Sequence, residues 1–337
     1  MKKVSVIIPC FNATKYLPKC FMSLVQQTIG IDQIELIFVD DASTDEDATW
    51  NMLQEFERAY PESIMILKLE ENMRQGGARN VALQYATGEY IAFVDADDFV
   101  SENFLLETYE KAKESDADII QFEYFYYTDR LGAVDSGRNI TPEVIEISSV
   151  SDRKRFLISE KVTYGCWNKL SRHTLLNEAH TAYAEHVIYE EPLFVYPLLY
   201  FANKIVILND AYYYYRQNDS GTMRNDMRQE ETLKMHADVQ LAVWNFMKKT
   251  PFFKEYYDEI KLYFLHTYLY ETLYFAKLRD FKPSYAFYKE LEKTVITEVP
   301  DYEESTYSAL IPKQMELYRM IEEGMTEEKF GGYCERL

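Results

Sequence analysis

Glycine and proline are scarce in this chain. Eleven Gly and ten Pro in 337 residues fall well below the usual combined share of about 12%. Few loops are therefore expected, and most of the chain should be regular structure. Positive charge is short as well. Lys and Arg number 36 against 56 Asp and Glu, a formal net charge of −20. That balance lacks the basic footprint of a nucleic-acid binder, so no nucleic-acid partner is expected. The four cysteines, Cys10, Cys20, Cys166 and Cys334, have no CxxC spacing and no clustered histidine. No structural zinc site is expected, and idle thiols in a reducing compartment fit. No run reaches the roughly 18 apolar residues of a membrane span. The apolar run after Lys2-Lys3 is too short for a secretory signal and has no small-residue cleavage site. A cytoplasmic protein without a membrane span is expected, either free or peripheral at the inner membrane face.

Aromatic residues, by contrast, are abundant: 29 Tyr, 20 Phe and 3 Trp. They suit packed helices and contacts to sugars or bases. Residues 4–8 are a β-branched apolar run ending at Pro9, which reads as a buried strand. Helical spacing follows over 16–27, then a second strand over 34–39. Ser43 and Glu46 have capping-box spacing, which predicts a helix from there to Tyr60. A strand over 64–69 and a helix over 75–86 follow, with Gly88 expected as the helix's C-terminal cap. Then come a strand over 90–94, a helix over 102–114 and a strand over 118–127. Alternation with short joints predicts a doubly wound, mostly parallel α/β sheet, whose ligands bind at the carboxyl ends of the strands. Residues 128–149 are weakly patterned and read as an excursion. A helix over 189–201 and strands over 205–208 and 212–216 complete the first domain, 1–225. An all-helical region, 226–337, follows.

Three strand ends carry unusual chemistry: Pro9-Cys10-Phe11-Asn12, Asp40-Asp41 and Asp95-Ala96-Asp97-Asp98. Carboxylates this close repel one another unless a cation or hydrogen-bond donors compensate. On a turn they can share a hard cation with a ligand's phosphates. Arg79, after Gly76-Gly77, could add a cation near such phosphates. Trp167 could stack on the C–H face of a sugar. Lys169 and Arg216 are further candidates for binding phosphate.

Taken together and in order, residues 4–12, Phe38-Val39-Asp40-Asp41-Ala42-Ser43-Thr44-Asp45, Gly77-Ala78-Arg79-Asn80 and Phe93-Val94-Asp95-Ala96-Asp97-Asp98 closely resemble the family 2 glycosyltransferases with the GT-A fold. The likeness continues through Trp167-Asn168-Lys169-Leu170, Tyr189-Glu190-Glu191-Pro192 and Tyr214-Tyr215-Arg216. It covers about residues 1–225. The resemblance implies an inverting transfer of sugar from a nucleotide-diphosphate donor, with a UDP-sugar favoured, to a glycan or lipid-linked acceptor in polysaccharide synthesis. It implies that Pro9, Phe11, Asn12, Asp40, Asp41, Arg79 and Asp95 hold the donor nucleotide. Asp97 would hold Mg²⁺ or Mn²⁺, and Trp167, Lys169 and Asp98 would face the sugar or acceptor. Glu191 stands where relatives carry an aspartate thought to be the base, with Glu190 in support. A second departure is Arg74, where relatives often carry glycine two positions after an asparagine such as Asn72.

Other enzyme classes fit less well. A nucleotidyltransferase needs a glycine-rich phosphate loop near the first strand, and residues 9–18 contain no glycine. A dinucleotide oxidoreductase needs GxGxxG, which is absent. The alternative outside catalysis is a degenerate sugar-nucleotide-binding scaffold. The helical region is a candidate surface for homo-oligomer formation.

Overall fold

The computed structural model describes residues 2–217 and 230–337. It divides into two compact units, Met1–Asn218 and Asp219–Leu337. The expected boundary at 225/226 lies outside the described residues.

The first unit is a ten-stranded sheet with helices between its strands. Strand β1 (Val4–Cys10) is flanked by β2 (Ile34–Asp40) and β4 (Tyr90–Phe93), and β3 (Ile64–Lys68) lies beyond β2. All four are parallel. The apolar runs of β1, β2 and β4 are buried because helices cover them, while β3, at the edge, is only partly covered. Helix α1 (Leu17–Val25) and α2 (Ala48–Ala59) close one face. Phe21 stacks on Phe56 at 3.7 Å between ring centroids over the β1 and β2 side chains.

Beyond β4 the sheet is mixed. Strand β9 (Lys169–Arg172) runs antiparallel between β4 and β6 (Ile119–Thr128). Strand β10 (Lys204–Arg216) is parallel to β6 and antiparallel to β5 (Phe99–Val100). The two strands expected over 205–216 are thus one, interrupted by shifts of register between Ile207 and Tyr213. The excursion also holds two short strands, β7 (Gly132–Asp135) and β8 (Glu143–Glu146), which pair with β6 and β10.

Two local expectations are corrected. Ser43 does not cap a helix; its hydroxyl accepts the Asn12 N–H across the strand ends. Helix α2 begins at Ala48, after left-handed Glu46 and Asp47, and Asp45 accepts from the Thr49 amide and hydroxyl. Gly88 is likewise no helix cap, since α3 (Arg74–Leu83) has already ended. A β-carbon on Gly88 would lie 2.4 Å from the Ser5 amide nitrogen, so close backbone approach demands the glycine.

Helix α7 (Glu191–Phe201) is buried through most of its length. Pro192 occupies its first turn, where a missing N–H costs nothing. Pro197 lies inside the helix, and its missing N–H frees the Leu193 carbonyl, which accepts from the Thr181 hydroxyl at 2.9 Å. Arg153 donates to the Leu199 and Ala202 carbonyls at the other end.

The second unit is helical. Its elements are α8 (Glu230–Met247), α9 (Tyr257–Phe264), a π-helical segment (Leu265–Glu271), α10 (Thr272–Leu278), α11 (Tyr285–Glu298), α12 (Pro312–Glu322) and α13 (Glu327–Arg336). The π segment continues α9 directly into α10. Trp244 stacks on Phe264 and donates to Glu298. Among the described residues no helix is long and apolar enough to cross a membrane.

Candidate active site

The parallel strands β1, β2 and β4 end side by side, and each hands a polar segment to the same edge. Pro9 is buried in β1, while Phe11 is 47% exposed beyond it. Asn12 takes a left-handed conformation and ties to Thr44 through its side chain. It braces the β1 and β2 ends. Asp40 accepts from the Ser43 N–H with one oxygen. Its other oxygen is buried with no partner among the described residues, a costly state that a ligand N–H would relieve. Asp41 accepts from the Met73 N–H at 2.7 Å and so holds the loop before α3. Burial, with a smaller contribution from Asp40, pushes its carboxyl up to about 6. Arg74 keeps the left-handed backbone, φ 60°, that a glycine would take there.

Gly76 brings α3 against the segment leading into α7. A β-carbon at 76 would meet the Ala184 carbonyl at 2.3 Å and Glu190 Cγ at 2.9 Å. That approach puts Arg79 between two acidic elements. One guanidinium nitrogen bonds Asp95 at 2.7 Å and another bonds Glu190 at 2.6 Å. Arg79 is 1% exposed. It therefore pairs with protein carboxylates, and the expected direct contact with donor phosphate is corrected to a bridging position.

The segment after β4 is held by β10. The Asp95 N–H donates to the Tyr213 hydroxyl, which donates to Asp98. Arg216 donates its backbone N–H to Asp98 and its Nε–H to the Asp97 carbonyl, and pairs with Asp129. Asp98 is buried, and its carboxyl is raised by burial first, then by Asp97 and Asp95. Asp98 thus shapes the turn and does not face a sugar, contrary to expectation. Arg216 is likewise engaged in the turn. Asp97 remains half-buried at the rim.

Across the crevice, Glu191 accepts from the Cys166 N–H at 2.7 Å. Burial and the neighbouring Glu190 raise its carboxyl above the usual range, which strengthens it as a base. Lys169 is buried, and its ammonium donates to Gly165, Thr163 and Asn168. All three protons serve the loop that carries Cys166 and Trp167. The expected contact of Lys169 with an acceptor is corrected to support of that loop. Burial lowers its ammonium to about 7. Trp167 is half-buried and lies flat on Tyr215 at 5.4 Å. Tyr213, Cys166 and His186, whose Nδ1–H donates to the Asn72 carbonyl at 3.3 Å, were not singled out for these roles. The run Tyr212-Tyr213-Tyr214-Tyr215 in a strand alternates faces, and that alternation was the available signal.

Residues 5–178 match the family described as Glycosyl transferase family 2. The chain belongs to that family. This glycosyltransferase is 31% identical over 235 residues to glycosyltransferase GlyG of Streptococcus pneumoniae, covering 66% of this chain and 73% of the relative. It is 29% identical over 215 residues to a poly(ribitol-phosphate) beta-glucosyltransferase of Bacillus spizizenii, covering 63% of this chain but 32% of that one. The chain thus spans about a third of that relative's length. The crystal structure of Staphylococcus aureus TarS in complex with UDP-GlcNAc superposes with a TM-score of 0.75 at 21% identity, over 98% of this chain and 89% of that one. That likeness shows the GT-A fold, with its helical C-terminal region.

Proposed function

We propose that this glycosyltransferase moves a sugar from a UDP-sugar to a hydroxyl of a cell-surface polysaccharide or lipid-linked acceptor, with inversion, on the cytoplasmic side. One observation carries the reading. Arg79 bonds both the first aspartate after β4 and the glutamate preceding α7, so the acids expected to serve donor and acceptor share one crevice. The poly(ribitol-phosphate) beta-glucosyltransferase named above supports a polymer acceptor, and TarS, crystallised with UDP-GlcNAc, supports a UDP donor.

In this reading the free oxygen of Asp40 accepts the N–H of a uracil-like base, and Asp95 meets the ribose. Asp97 suits Mg²⁺ or Mn²⁺, since a hard cation takes carboxylate oxygen. Among the described residues no three acidic, His or Cys side chains could hold an ion alone. A diphosphate must then supply further oxygens, as is usual for Mg²⁺. The repulsion among Asp95, Asp97 and Asp98 favours the fit. Bound there, the cation stabilises the charge of the leaving diphosphate. Glu191 takes the acceptor proton as the hydroxyl attacks from the opposite side. Glu190 stays paired with Arg79 and holds the start of α7.

Calorimetric titration with UDP tests the donor half. Binding in Mn²⁺ should weaken at least about tenfold in EDTA, a loss of about 1.4 kcal/mol. Asp97→Ala in Mn²⁺ should weaken it similarly. Equal affinity in EDTA would contradict the metal assignment.

A further inference from the structure

Four aromatic rings line the side of the crevice where Glu191 sits. Tyr215 lies flat against Trp167, with 6° between planes. Tyr124 stands edge-on to Trp167 at 4.8 Å, and Tyr126 stands edge-on to Tyr124 at 5.4 Å. The group starts at the protein core and reaches solvent at Tyr126, 37% exposed.

A purely structural cluster would satisfy its polar atoms inward. This one does not. The indole N–H of Trp167 and the hydroxyl of Tyr215 make no hydrogen bond among the described residues, and neither atom is sealed from water. The cluster is also tied to both halves of the chemistry. Trp167 follows Cys166, whose N–H holds Glu191. The Tyr215 hydroxyl lies within the field of Asp98, Asp95, Asp97 and Glu191, which raise it further after burial. Arg138, over the Tyr124 ring, stands 3.7 Å from Glu123, so the rings present C–H-complementary surface and O–H and N–H groups more than free positive charge.

We propose that Trp167, Tyr215, Tyr124 and Tyr126 form the acceptor subsite and take an uncharged, hydroxyl-rich segment, a pyranose ring or a polyol chain, with its reacting hydroxyl toward Glu191. The inference rests on the sugar-transfer reading. Aromatic faces bury the C–H surface of such a segment, while their polar edges orient its hydroxyls.

Fluorine NMR on protein carrying 5-fluorotryptophan tests it. The chain has 3 tryptophans, and Trp167→Phe identifies the relevant resonance. UDP with Mn²⁺ is added first and its binding read as a rise in melting temperature. Ribitol and chitotetraose are then titrated separately. At least one should move the Trp167 resonance saturably and leave Trp50 and Trp244 in place. Tyr126→Ala, at the exposed edge, should weaken that dissociation constant about threefold to tenfold. If neither probe moves Trp167, if all three resonances move together, or if Tyr126→Ala leaves the constant unchanged, the subsite is refuted. Failure of UDP to bind would instead refute the donor reading, so the two fail separately.

Discussion

Replacing Arg79 with methionine keeps an unbranched apolar stem and removes the guanidinium and its charge. Asp95 and Glu190 would then face each other without the guanidinium that bonds both at 2.7 and 2.6 Å. Their side chains are 15% and 7% exposed, so water replaces little of what is lost. Breaking a buried pair by removing one partner costs about 3–5 kcal/mol. For a unit of this size that is a fall in melting temperature of roughly 6–20 °C. Thermal unfolding of wild type and Arg79→Met at neutral pH is the assay. Arg79→Lys should fall between them, because a point charge cannot serve two carboxylates as a planar fork does. A melting temperature lowered by less than about 2 °C at neutral pH would refute the bridging role.

Gly76→Ala places a β-carbon against the Ala184 carbonyl, and backbone must yield. We expect a loss of about 1–3 kcal/mol in denaturant unfolding, with transfer impaired because Glu190 is pushed from Arg79; unchanged stability would contradict the close approach. His236 bonds Thr272 in the core of the helical unit, and burial lowers its imidazole to about 4. A folded pKa below the unfolded value gives stability that is present above about pH 6.5 and lost as pH falls toward 4, about 3 kcal/mol in all. His236→Gln should flatten that pH dependence of the unit's unfolding, and an unaltered slope would count against it.

The parallel strands were legible because runs such as Val4–Cys10 and Ile34–Asp40 are mostly apolar without alternation, the mark of burial on both faces. The joints were less so. The capping-box spacing at Ser43 is a local pattern, whereas the partner that claims its hydroxyl, Asn12, is 31 residues away. Strand β9 has four residues, Lys-Leu-Ser-Arg, too few and too polar to show alternation, and it exists because β4 and β6 pair with it. Among the site residues, Asp40, Asp95, Asp97, Glu190 and Glu191 stand out through their positions at strand and helix ends. Arg79, Lys169 and Asp98 were legible as chemistry but not as burial. A charged side chain buried against partners more than 100 residues away, as Arg79 is against Glu190, leaves no local signature.

The claim at the centre of this account is that Glu191 takes the acceptor proton during sugar transfer. The most direct test is the rate of UDP release from UDP-sugar in Mn²⁺ with acceptor present, for wild type and Glu191→Gln, with UDP affinity measured alongside. The amide keeps an oxygen to accept the Cys166 N–H, so the fold and donor site should persist. Loss of a general base removes roughly 10²–10⁴-fold. The account predicts at least about a hundredfold slower release, with UDP affinity retained within about twofold. Release at the wild-type rate from Glu191→Gln, and its loss in Glu190→Gln, would contradict the assignment.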